Sequence, residues 1–187
     1  MKQNWKPGTL LYPVPAVLVS CGDAGHSNLF TVAWTGTICT DPAMLYISVR
    51  PERYSYGLIK ERMEFTVNLT TASMARATDF CGVRSGRDLD KWQVTGLHPY
   101  PGVAVSCPAV EESPLSIECK VTSVLSLGSH DMFIARVVNV LADEAYMDAA
   151  TGRFRLDDAG LMNYSHGGYF AQGEKLGTFG FSVKKKK

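Results

Sequence analysis

The chain has 187 residues, of which 45% are hydrophobic and 20% are charged, and this length and composition predict one globular domain over 1–187 with a core at about 13–180. A net charge of +1 argues against a nucleic-acid partner. No stretch approaches the ~20 apolar residues of a membrane helix. Because Pro7 and Pro13 interrupt the N-terminal segment, we expect no signal peptide, no membrane partner and a cytoplasmic location. The lysines at 184–187 are expected to form a solvated tail.

Alternating apolar and polar residues predict a mainly β fold with short peripheral α-helices. The predicted strands are 16–21, 29–39, 44–49, 64–69, 115–125 and 132–141. Strand 115–125 is expected to keep one wet face and to bulge near Ser123, and strand 132–141 is expected to be covered on both faces. The predicted helices are 55–62, with Ser55 as its N-cap, 73–80 and 87–94. No βαβ alternation occurs, so an antiparallel barrel fits best.

The five cysteines are odd in number and widely spaced, with no CxxC pair. Disulfides and zinc sites are therefore not expected. The four histidines share no metal-ligand spacing, so we predict no metal site. Each cysteine is interpreted as a small apolar residue of a reduced compartment.

The run SVRPERYS at 48–55 places two arginines and two hydroxyls beside a predicted helix start. Backbone N–H groups at a helix N-terminus, with Arg50 and Arg53 beside them, suit a phosphate group. Ser48 and Ser55 would add hydroxyl donors. The alternative is a solvated turn whose arginines point into water.

The run SGRDLDKW at 85–92 combines a hydroxyl, a glycine, two cations and an indole. Ser85 or Asp88 could simply cap the predicted helix. Arg87 and Lys91 would then stand four residues apart as like charges, which is unfavourable unless an anion lies between them. Bound anion and simple cap both remain open at this point.

The predicted strand 29–39 carries small and hydroxylated residues, together with the preceding Asn28, where a core strand would carry large aliphatics. Thr31 and Thr35 could bind the polar edge of a heterocycle whose face lies on Trp34. The alternative is a sheet face that meets water. His130, in the turn 128–131, is either a solvated turn histidine or a candidate catalytic residue.

Six motifs in order, NLFTVAWTG, DPAMLYISVRPERYS, EFTVNL, SGRDLDKW, VEESPLSIEC and LGSHDMFIARVV, resemble the flavin reductase-like, FMN-binding split-barrel family, in its flavoredoxin-like branch. The resemblance covers about 13–180. It implies a six-stranded antiparallel split β-barrel, a homodimer, and one FMN per subunit near the subunit interface.

The resemblance also implies roles for individual residues. Ser55, with Arg53, would bind the phosphate, and Lys91 would supply positive charge. Near the ring would lie the residues Asn28, Trp34, His130 and Tyr164. With the patterns above, the cofactor-binding candidates are Asn28, Thr31, Trp34, Thr35, Ser48, Arg50, Arg53, Ser55, Ser85, Lys91, His130 and Tyr164.

The function implied is that of an FMN oxidoreductase, in which NADH or NADPH reduces bound FMN and a free flavin or a partner protein collects the electrons. Two alternatives stay open. One is a flavoredoxin-like FMN electron carrier without its own nicotinamide site, and the other is a non-catalytic binding barrel.

Overall fold

The computed structural model describes residues 1–183, so the lysine tail at 184–187 lies outside the described residues. Alternating and fully apolar segments form a mainly β structure with short helices. The strands are β1 Val14–Pro15, β2 Val17–Asp23, β3 His26–Val32, β4 Thr35–Cys39, β5 Met44–Val49, β6 Glu64–Asn68, β7 Pro99–Tyr100, β8 Ala109–Val110, β9 Leu115–Ser126, β10 Asp131–Ala142, β11 Met162–Ser165 and β12 Gly168–Ala171. The helices are α1 Tyr54–Arg62, α2 Ala75–Val83 and α3 Lys91–Thr95.

The main sheet is antiparallel, with the strand order β3-β2-β6-β9-β10-β5-β4. The predicted strand 29–39 is broken at Ala33 and Trp34, and its halves β3 and β4 lie at opposite edges of this sheet. The six predicted strands therefore become seven. Because only two residues separate the edge strands, the chain itself joins the two edges, and the sheet curls into a barrel.

Two hydrophobic clusters divide the core. Inside the barrel, Ile47, Phe65 and Phe133 are fully buried beside α1. Outside it, Leu18 and Leu29 pack against side chains of α2 and α3. The helices are thus fixed to the outer face of β2 and β3, which places the start of α1 and the loop before α3 next to β3.

Strand β9 bulges where its alternation slips, since Ile134 pairs with Ser123 and Ala135 with Val121. The expected wet face of this strand is wrong at its first half. Glu118 is 0% exposed and accepts hydrogen bonds from the backbone N–H groups of Val103 and Ala104 at 2.7 and 2.8 Å. The loop before β8 covers this face, and the buried carboxylate fixes that loop.

Strand β10 is covered on both faces only in its first half. Val138 and Val140 in the second half are exposed, which corrects the prediction of a fully covered strand. The sheet beyond this point leaves the barrel core.

Two helix starts differ from the prediction. Arg53 is the N-cap of α1, and Ser55 lies inside the first turn. Helix α3 begins at Lys91, because the Asp90 carboxylate accepts from the N–H of Trp92 at 2.9 Å and so caps it. Residues 85–90 form a loop, so Arg87 and Lys91 are not neighbours on a helix.

All five cysteines are free, and four of them are buried. Burial raises the pKa of Cys81 to about 11 and that of Cys119 to about 12, so both remain thiols at neutral pH. They pack as the small apolar residues that the sequence predicts. In the described part of the chain, no helix is long and apolar enough to span a membrane.

Candidate functional site

The start of α1 and the strand β3 hold a buried polar pair. Asn28 is 4% exposed and Ser55 is 1% exposed, and the Asn28 amide donates a 2.7 Å hydrogen bond to the Ser55 Oγ. Since the serine oxygen accepts this bond, the Ser55 hydroxyl proton is available to a second acceptor. The first turn of α1 presents that hydroxyl together with backbone N–H groups that have no partner within the helix.

The loop before α3 approaches this pair at a glycine. A Cβ on Gly86 would lie 2.1 Å from the Asn28 Oδ1 and 3.0 Å from the Tyr54 ring. Any other residue would displace the amide of Asn28. The glycine therefore lets the loop close one wall of a cleft against α1 and β3.

This helix cleft has a volume of about 190 Å³. It is lined by Asn28, Phe30, Glu52, Arg53, Tyr54, Ser55, Val83, Arg84, Ser85, Gly86, Arg87 and Lys91. Four cations thus face one carboxylate. A larger open cleft of about 810 Å³ adjoins it and shares Arg87 and Lys91, but there Asp88 and Asp90 balance these charges. An anion is favoured in the helix cleft.

Lys91 supplies a buried cation to this cleft. Its side chain is 3% exposed, and its Nζ donates to the Cys81 carbonyl at 2.8 Å. Burial lowers the pKa of Lys91, and the nearby Arg53 lowers it further. An ammonium has three N–H donors, and a buried cation is costly without acceptors for them. An anion in the helix cleft would offset this cost.

The break between β3 and β4 forms a second cleft, called here the strand cleft, of about 210 Å³. It is lined by 30–34, Ser48, Val49, Arg50, Arg53 and His130. The backbone N–H of Ser48 donates to the Trp34 carbonyl at 2.9 Å, which holds the break against β5. Backbone and small side chains leave a flat floor beside the indole.

His130 lies at the rim of the strand cleft, in the turn between β9 and β10. Its Nδ1 is 2.9 Å from the Ser129 Oγ. Burial, followed by the positive charges of Arg50 and Arg53, lowers the pKa of His130. The ring is therefore neutral at pH 7 and can donate or accept one hydrogen bond there.

A third cleft, the aromatic cleft, has a volume of about 380 Å³ and opens on the other side of Trp34. It is lined by Tyr12, Ala16, Thr31, Ala33, Trp34, Arg53, Asp79, Gly82, Val83, Tyr164, Gly167 and Tyr169. Arg53 lines all three clefts, and its Nη1 donates to the Gly82 carbonyl at 3.0 Å. This bond steadies an otherwise exposed guanidinium where the clefts meet.

The structure brings together every predicted site residue except Thr35. The Thr35 Oγ1 donates to the Tyr46 carbonyl at 2.6 Å and lines none of the three clefts. Ser85 lines the helix cleft, but its Oγ accepts from the Arg87 N–H at 3.2 Å in a loop, so it does not cap a helix. Trp92 is 8% exposed and donates to the Ser27 Oγ at 3.1 Å, so this indole is a core residue without a face for stacking.

Sequence reasoning missed several residues of the site. They are Arg84 and Gly86 in the helix cleft and Tyr12, Asp79 and Tyr169 in the aromatic cleft. Arg84 directly precedes the run 85–92 and could have been included with it. The other positions have no local signal, because long-range strand pairing and loop packing bring them to the site.

Comparison with known proteins agrees with this arrangement. Residues 9–172 match the sequence model of the flavin reductase like domain. The chain belongs to the flavin reductase-like family. Flavoredoxin of Desulfovibrio vulgaris (Miyazaki F) superposes with a TM-score of 0.89 at 31% identity, over 98% of this chain and 100% of that chain. The barrel fold and the flavoredoxin-like branch are thereby confirmed.

Two further relatives carry functional names. The FMN-binding protein from Thermus thermophilus, with bound 1-cyclohex-2-enone, has a TM-score of 0.80 at 25% identity and covers 95% of this chain and 99% of that one. The NADPH-flavin oxidoreductase of Streptomyces viridifaciens is 25% identical over 132 residues, which are 68% of this chain and 66% of that protein. Within residues 1–183, no three His, Cys, Asp or Glu side chains cluster closely enough to hold a metal ion.

Proposed function

We propose that this protein is an FMN-dependent oxidoreductase of the NAD(P)H-dependent flavin reductase type. The observation that carries the proposal is the joining of the cationic helix cleft to the flat strand cleft at Arg53. FMN has a dianionic phosphate at one end and a planar ring at the other. The two clefts match these ends in charge and in shape.

The helix cleft suits the phosphate. Ser55 has a hydroxyl proton to donate, Lys91 has two further N–H donors, and Arg53 stands at the rim. Backbone N–H groups at the start of α1 add the favourable end of the helix dipole. Asn28 orients the serine, so it is a positioning residue for the phosphate and lies at the same time beside the cofactor.

The strand cleft suits the ring. Thr31, Trp34 and the backbone between them would lie along its edge and face, and Ser48 and Arg50 would close the opposite side. His130 would meet the ring as a neutral hydrogen-bonding group. We keep it as the catalytic candidate, although hydride transfer requires alignment and no acid or base.

Bound FMN would supply the chemistry of accepting a hydride and passing on electrons. The residues of the chain hold the ring at an open cleft, keep positive charge near it through Arg50 and Arg53, and leave one face accessible. A nicotinamide can reach the ring from that face, and a free flavin or a partner protein can follow.

A flavoredoxin-like electron carrier is the second candidate, because flavoredoxin is the name carried by a relative that matches nearly the whole chain. A carrier would take its electrons from a protein donor and would need no nicotinamide site. A non-catalytic barrel is less favoured, since it would leave the cations of the helix cleft without a purpose.

Anaerobic mixing separates these functions. We expect NADH or NADPH to bleach the ~450 nm band of the FMN-loaded protein without any added acceptor, because a stacked nicotinamide needs only proximity to the ring. Dithionite serves as the control reductant. Bleaching by dithionite but by neither nicotinamide would refute the reductase and favour the carrier.

We also propose a homodimer. Large apolar residues in the N-terminal and C-terminal segments, among them Trp5, Leu11, Leu176 and Phe179, are exposed, and pairing of two chains would cover such surface. Light scattering at micromolar concentration should give twice the chain mass of 20.4 kDa. A monomer with bound FMN would contradict this. The cytoplasmic location and the single-domain organisation stay predictions.

A further inference from the structure

The aromatic cleft is a built site that the FMN proposal leaves without a ligand. Strand β1 pairs with β11, with Val14 opposite Tyr164. This pairing carries Tyr12 into contact with two rings, since its centroid is 6.0 Å from that of Tyr164 and 6.2 Å from that of Trp34. Tyr169 on β12 lies 5.5 Å from Tyr164. Three secondary elements thus bring four rings around one cavity.

The rings present open surface to that cavity. Trp34, Tyr164 and Tyr169 are only half-buried, so parts of their surfaces face the open space of the aromatic cleft. Rings that served packing alone would be covered by other side chains. Offset and edge-to-face contacts with a further flat ring would stabilise a ligand there.

The polar groups of the cleft have a definite arrangement. The Asp79 carboxylate raises the pKa of Tyr169, after burial, to about 12, so that hydroxyl keeps its proton. In the described chain, no hydrogen bond to another side chain or to the backbone engages the Tyr164 hydroxyl, and no buried side-chain polar atom there lacks a partner. The Tyr164 hydroxyl therefore faces open space and can donate to a ligand.

Charge and size narrow the ligand class. Arg53 and Asp79 are the charged residues of the lining and oppose one another, so the cleft favours a neutral ligand over an anion. A volume of about 380 Å³ lies near the lower end for small-molecule clefts. It leaves room for one ring with its substituents.

We propose that the aromatic cleft binds neutral, planar, single-ring compounds with a conjugated carbonyl group, the ring lying between Trp34 and Tyr164 and the carbonyl oxygen accepting a hydrogen bond from the Tyr164 hydroxyl. The inference rests on the proposed function, since Thr31, Ala33, Trp34 and Arg53 also line the strand cleft. A compound in the aromatic cleft would lie next to the cofactor ring.

The test is a titration of FMN-saturated protein with benzaldehyde, followed by calorimetry and by the visible difference spectrum. Cyclohexanecarbaldehyde, with the same carbonyl on a saturated ring, is the matched ligand. Tyr164→Phe removes only the hydroxyl, and Tyr100→Phe is the matched variant, because Tyr100 lines a separate cleft. FMN affinity is measured separately for each variant, so every titration is made at saturation.

We expect benzaldehyde to bind with a perturbed flavin band and the saturated aldehyde to bind at least tenfold more weakly. Tyr164→Phe should weaken benzaldehyde binding about five- to tenfold, as expected for one lost hydrogen bond, and Tyr100→Phe should not change it. Equal affinities for parent, Tyr164→Phe and Tyr100→Phe, or no binding to the parent, would overturn the inference. Failure of the parent to bind FMN would instead overturn the proposed function.

Discussion

Lys91→Met should weaken FMN binding about ten- to a hundredfold, the effect of losing one charge-assisted contact of roughly 1.5–3 kcal/mol. The buried ammonium of Lys91 has one carbonyl acceptor, on Cys81, and faces the helix cleft with its other donors. Methionine keeps the apolar stem and removes the charge. Titration of FMN against flavin fluorescence gives the affinity.

Lys60→Met is the matched control, because Lys60 is an exposed lysine of α1 that lines none of the three clefts. Melting curves for both variants establish that they fold. Equal FMN affinity for the two folded variants would show that Lys91 makes no contact with the cofactor, and the phosphate would then have to be placed elsewhere.

Gly86→Ala should lower FMN affinity at least tenfold. The added Cβ would lie 2.1 Å from the Asn28 Oδ1, so the amide must turn and its hydrogen bond to Ser55 must break. A buried amide that loses its partner costs about 1–3 kcal/mol. We therefore expect weaker FMN binding together with a lower melting temperature.

Gly57→Ala provides the comparison, since Gly57 lies on α1 and a Cβ there meets nothing within 4 Å. Alanine in a helix is favoured over glycine by roughly 0.5–1 kcal/mol, so this variant should melt at or above the parent temperature and bind FMN as the parent does. A Gly86→Ala protein that binds FMN like Gly57→Ala would refute the role given to the Asn28–Ser55 pair.

The strands were predictable because their patterns are local. Alternation located β2, β5, β6, β9 and β10, and even the bulge near Ser123. The break at Ala33 and Trp34 was not predictable, because the residues on both sides have the same β-forming character. Barrel closure requires the bend, and closure is a property of the whole sheet.

The chemical character of the site was also largely predictable, but its geometry was not. Hydroxyls and cations in the runs 48–55 and 85–92 indicated an anion site. Three residues, Ser85, Asp88 and Asp90, were equally suited to cap α3, and the choice depends on where the loop meets Asn28. The burial of Lys91 and Trp92 depends on α2 and β3, which lie far away in the sequence.

The central claim is that the helix cleft binds the phosphate of FMN, and a comparison of FMN with riboflavin tests it most directly. Riboflavin has the same ring and ribityl chain without the phosphate. With Arg53, Ser55 and Lys91 in contact with the dianion, FMN should bind about a hundredfold or more tightly, from at least two charge-assisted contacts. This advantage should shrink as salt is added. Equal dissociation constants for the two flavins at low salt would contradict the account.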